Sequence, residues 1–160
     1  MPRRLQDIVS KLYRPAVGVR QVFALSREDA ERLPRLASIA VISITAPERQ
    51  EAQLDGFTYV LRLSFADVDF MNPNLPEKSK KKLVYAFTSE QAQAVRQFVD
   101  CLPADITSLI VHCEGGFSRS CAIALGLHRL YGYHVEPEQL TQANPSVLRV
   151  LTGKPGSAPG

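Results

Sequence analysis

The chain has 160 residues, 45% of them hydrophobic, and a formal net charge of +3, enough for one domain with a sizeable core and too little for two. No apolar run reaches the roughly 18 to 20 residues of a membrane span, and the basic opening MPRRLQDIVSKLYRP lacks the apolar segment and cleavage site of a secretory signal, so a cytoplasmic monomer with no membrane partner is expected. Three cysteines without metal-ligand or framework spacing point away from a disulfide-stapled module and from a bound metal, and leave at least one free thiol.

In chain order, Val22 to Leu25 reads as a short strand, and Ser26 caps a helix that runs to Leu33 and stops at Pro34. Ile39 to Ile44 is a continuous apolar, β-branched run, the pattern of a strand covered on both faces of a parallel sheet. Tyr59 to Phe65 is the third strand, after the turn Asp55-Gly56. Met71 to Glu77 carries two prolines and must be loop. The dense basic run that follows, Lys78-Ser79-Lys80-Lys81-Lys82, reads first as a solvated loop. A rim attracting a phosphorylated substrate is the sharper reading, and nucleic acid the least favoured partner.

Thr88 and Gln91 form a capping-box pattern, and Val95, Phe98, Val99 and Leu102 share one face of the helix that follows, ended by Pro103. Ser108 to His112 is the fourth strand, and Ser118 to Tyr131 a nearly all-apolar helix stopped by Gly132. Glu136 to Gln142 and Pro145 to Leu151 read as two short closing helices, and 153–160 as a disordered tail behind a domain of 1–152. Strands alternating with helices predict a single α/β domain with a mainly parallel, four- to five-stranded sheet flanked by helices. In such sheets ligands gather at the carboxyl ends of the strands.

At the end of the fourth strand stands Leu109-Ile-Val-His-Cys-Glu-Gly-Gly-Phe-Ser-Arg-Ser120. The amides of a short loop entering a helix converge unpaired, and with the helix dipole they favour an anion. Glu114, Gly115, Gly116, Phe117, Ser118 and Arg119 would supply that cradle, the two glycines giving the backbone freedom to curl and Arg119 adding a forked donor. The same field favours the ionised sulfur of Cys113, which becomes a nucleophile, and Ser120 can donate a hydrogen bond to that sulfur as it leaves. His112 faces the other side of the strand end and can brace the loop through backbone hydrogen bonds. A cysteine six residues before an arginine recurs by chance. The histidine before it, the glycine, the serine after the arginine and the strand–loop–helix setting make the combination specific.

His112-Cys113-x5-Arg119-Ser120 resembles the signature loop of the cysteine-dependent protein tyrosine phosphatases, closest in size to the compact dual-specificity branch, and the order of elements from about Val22 to Leu151 agrees. Its place late in the chain argues against the low-molecular-weight branch. The resemblance implies a protein-tyrosine-phosphatase-like fold and hydrolysis of a phosphorylated protein or peptide through a phosphocysteine, with no cofactor or metal. It also implies an aspartate general acid, and Phe65-Ala66-Asp67 looks like a variant of the family's Trp-Pro-Asp, which assigns that role to Asp67 with Asp69 as the alternative. Phosphatases of RNA 5′ ends or phosphoinositides, and a catalytically silent phosphate-binding module, are the competing readings; Glu114 inside the loop argues against highly phosphorylated inositides. Cys101 and Cys121 read as small buried residues, and His128 and His134 as non-catalytic. Asn144 before Pro145 reads as a cap or turn, with a side chain directed towards the site as the alternative.

Overall fold

Strands rich in β-branched residues and lacking polar alternation bury both faces, and two of them do so completely. A computed structural model describes residues 3–136 and 141–153. In it β2 (Ile39–Thr45) and β4 (Ser108–Cys113) are buried at every position. They form the centre of a four-stranded sheet in the order β1-β4-β2-β3, with β1 (Gln21–Ser26) at one edge and β3 (Tyr59–Ser64) at the other. Every pairing is parallel, and the register sets Ser26 beside Cys113 and Ser43 beside His112. The carboxyl ends of β1, β4 and β2 therefore open on one rim.

The described residues include six α-helices: α1 (Arg3–Tyr13), α2 (Arg27–Glu31), α3 (Glu77–Lys80), α4 (Ser89–Asp100), α5 (Arg119–Tyr131) and α6 (Pro145–Thr152). On one face the sheet packs against α4, α5 and α6 in a core that includes Val95, Val99, Ile123, Leu127, Val147 and Leu151. On the other, Leu5, Ile8 and Leu12 of α1 join Phe23, Val41 and Ile110. The expected caps form as read: Ser26 accepts from the Asp29 amide, Thr88 and Gln91 close a reciprocal box, and Gly132 ends α5 in the left-handed region at φ 73°.

Some features depart from the sequence reading, and others fall outside the described residues. The basic opening, read above only for targeting signals, forms α1, whose Leu5, Ile8 and Leu12 recur at helical spacing and are each only 1% exposed. Glu136 fastens that helix through ion pairs to Arg4 and Lys11. Cys101 is exposed, because it is the C-cap of α4 rather than part of its apolar face, whereas Cys121 is buried as expected. The helix expected over Glu136 to Gln142 falls mostly on residues 137–140, outside the described residues, as does all of the expected tail beyond Gly153. No helix among the described residues is long and apolar enough to cross a membrane.

Candidate active site

The fourth strand delivers Cys113 to the rim almost completely buried, at 2% exposure, with its Sγ 3.2 Å from the hydroxyl of the fully buried Ser120. Between them residues 114 to 118 turn back on the end of β1. Gly116 makes this turn possible, since it sits at φ 79° and a Cβ there would lie 2.5 Å from the Ser26 nitrogen and 2.6 Å from the Leu25 carbonyl carbon. Gly115, expected to share that role, adopts no positive φ; a side chain there would instead meet the ring of Phe117, which is itself exposed at the rim. The Glu114 carbonyl accepts from the Arg27 amide, and its carboxylate pairs with Arg27 at 3.2 Å and Arg49 at 3.6 Å. The one acidic side chain of the loop is thereby neutralised and drawn away from the amides.

Ser118 occupies the N-cap position of α5 but does not cap it. Its hydroxyl donates to Asp67 Oδ1 at 2.8 Å instead. Among the described residues the backbone amides of 115 to 118 have no acceptor, so the mouth of a 13-residue helix is left open to an anion. Arg119 adds to this. Its side chain is 93% buried (7% exposed), one terminal nitrogen donates to the Phe65 carbonyl at 2.8 Å, and Nε has no partner among the described residues. No carboxylate forms an ion pair with it among the described residues. A guanidinium taken out of water without a counter-charge is costly, and a bound oxyanion removes that cost by accepting from Nε and neutralising the charge.

The carboxylates are sorted by their partners. Asp67, exposed to the rim, receives Ser118 from the loop and Asn144 Nδ2 at 2.9 Å, both on Oδ1, which leaves Oδ2 without a hydrogen-bond partner among the described residues. Asp69 is turned towards α6, where its Oδ1 accepts from Ser146 Oγ at 2.6 Å and from the Met71 amide at 3.0 Å. The structure thus puts Asp67, not Asp69, over the loop. Asn144 does two things at once: Oδ1 caps α6 by accepting from the amides of Ser146 and Val147, while Nδ2 holds Asp67 and the Val68 carbonyl. The cap was legible in the sequence; the reach to Asp67 had no local signal.

His112 lies behind the loop at 1% exposure, with Nε2 2.6 Å from Ser43 Oγ and Nδ1 3.2 Å from the Cys113 carbonyl. Burial pushes its pKa below the usual histidine value. The neutral ring satisfies both contacts if Nδ1–H donates to the carbonyl and Nε2 accepts from the serine, which ties the Cys113 backbone to β2. Burial also pushes the neighbouring Cys121 thiol up to about 11, so that sulfur stays protonated. His128 bonds the Tyr133 carbonyl and His134 bridges to β1, both away from the rim.

A cleft of about 310 Å³ is lined by Asp67 and Arg119 together with Glu48, Lys78, Lys81, Lys82 and Tyr85. The fold and site together define a parallel α/β domain that presents a buried cysteine at the start of a loop with open backbone amides, with the Asp67 carboxylate hydrogen-bonded to that loop. No family model matches the chain, and no curated protein does. Solved structures that resemble it include the crystal structure of PTPMT1, 22% identical, covering 84% of this chain and 91% of that one with a TM-score of 0.48, and that of PTPMT1 in complex with PI(5)P, 22% identical, covering 83% and 88% with a TM-score of 0.47.

Proposed function

We propose that the chain is a phosphomonoester hydrolase that works through a phosphocysteine. The single observation that carries this is Arg119, a buried cation whose Nε has no partner and which has no ion-pair partner among the described residues, at the start of the helix that follows the open amides after Cys113. A phosphate dianion supplies what this arrangement lacks. The Cys113 thiolate attacks phosphorus, the bond to the leaving oxygen breaks, and Asp67 gives that oxygen its proton. Water then attacks the phosphocysteine while Asp67 takes back a proton, and the sulfur leaves as thiolate with the Ser120 hydroxyl donating to it.

The signature loop favours phosphotyrosine in a protein or peptide, alone or with phosphoserine and phosphothreonine, as the substrate. A second reading, a compact phosphorylated molecule, draws on the lysines of the cleft wall. Both share the same first test: vanadate-sensitive hydrolysis of an aryl phosphate that Cys113→Ser abolishes. Full activity in that variant would overturn the assignment.

A further inference from the structure

The segment from Glu77 to Tyr85 carries four lysines, and the structure separates them by what they face. Lys80 pairs with Glu77 at 3.1 Å. The other three, Lys78, Lys81 and Lys82, make no ion pair among the described residues, and all three line the cleft that holds Arg119 and Asp67. Four cations there face two carboxylates, Asp67 and Glu48. A single phosphate in the loop is already served by the amides and Arg119, so the lysine wall has spare positive charge directed at the same enclosed space.

That wall is anchored to the site. The Ala66 amide, one residue before Asp67, donates to the Tyr85 carbonyl at 2.8 Å, and Phe87 packs on Phe65 with ring centroids 4.7 Å apart. The backbone carrying the lysines is therefore fixed to the residues that precede the carboxylate and accept the Arg119 bond. The cleft's volume of about 310 Å³ lies at the small end of ligand sites, which suits a compact headgroup better than several residues of peptide.

We propose that Lys78, Lys81 and Lys82 form a second anion subsite, and that the substrate is a compact phosphomonoester bearing a second phosphate. This rests on the phosphatase reading above. The second phosphate, free in solution or part of a lipid headgroup, is held by point-charge ammonium groups that fix no single geometry.

The test compares 1,3-propanediol bisphosphate with propyl phosphate in the wild type and in Lys78→Ala/Lys81→Ala/Lys82→Ala. The expected result is a rise of about tenfold or more in KM for the bisphosphate, kcat within about twofold, and a KM change of under about twofold for propyl phosphate. The triple Lys→Arg variant should restore the bisphosphate KM, which a merely structural defect would not allow. The same bisphosphate carried on a lipid in detergent micelles tells the two sources apart by which form shows the greater lysine dependence. Equal losses on both soluble substrates, no loss on either, or lysine dependence seen only with a doubly phosphorylated peptide would overturn the proposal. Calorimetric binding of the bisphosphate to Cys113→Ser, with and without the lysine changes, reads the subsite without turnover. Failure of the wild type on any aryl phosphate would instead defeat the phosphatase reading.

Discussion

The loop from Cys113 to Arg119 and the strip from Phe65 to Tyr85 meet across one cleft, yet they are built in opposite ways. The loop holds the buried cysteine, the open amides and the guanidinium in seven consecutive positions, and its curvature is fixed by one glycine pressed on β1. The strip gives one carboxylate and three lysines, and each is placed by something distant: Asp67 by Ser118 and Asn144, the lysine wall by the bond from Ala66 to Tyr85. A catalytic element made of neighbours in sequence carries its geometry with it, whereas one assembled from several elements depends on contacts that lie far apart in the chain.

The sharpest way to break the comparison is within the loop. Arg119→Ala should lower kcat/KM for an aryl phosphate by about 10²- to 10³-fold or more, because the loop then lacks its charged donor. Thermal stability should hold or rise, since the variant removes a buried cation that has no ion-pair partner among the described residues. A large fall in Tm would mean that Arg119 is a structural strut.

The strip is tested by its two aspartates. Asp67→Asn should cost about 10²- to 10⁴-fold in kcat for substrates with poor leaving groups and much less for good ones, as loss of a proton donor requires. Asp69→Asn should leave that leaving-group dependence intact and instead lower stability by about 1 kcal/mol through its bonds to Ser146 and Met71. Interchanged results would put Asp69 in the role given to Asp67.

The smallest effect concerns the brace behind the loop. His112 has its pKa held below 6.5 by burial, so between the two values the unfolded chain binds more protons than the folded one. The stability contributed by the neutral ring is complete above about pH 6.5 and is lost as the pH falls towards the folded value. His112→Gln should therefore flatten the fall in Tm between neutral pH and pH 5 relative to the wild type, in a thermal melt series. An unchanged slope would show that other groups dominate the acid response.

The sequence made the loop legible for the same reason that the loop is robust. Strand, turn, glycine, arginine and helix follow one another, so local rules were enough to place Cys113 beside Ser120. The parallel sheet was legible too, because the apolar runs of β2 and β4 had no polar face. Asn144 shows what was only partly legible: its cap to Ser146 follows from its position before Pro145, and a side chain turned to the site was the alternative reading, but the partner Asp67 lies 77 residues away with no local pattern to name it. The lysine run likewise announced charge without direction, since nothing in it separates Lys80, paired outward, from the three that turn to the cleft. Helix α1 had its periodic leucines and isoleucine in plain view, within a segment whose basic charge drew attention to targeting instead.

The most direct test of the central claim is an acid-quenched single turnover with an aryl phosphate labelled at phosphorus, followed by mapping of the label. The label should appear on the peptide containing Cys113 within the first turnover, and neither Cys101 nor Cys121 should carry it. Turnover that proceeds with no phosphorus on Cys113 at any time would contradict the account.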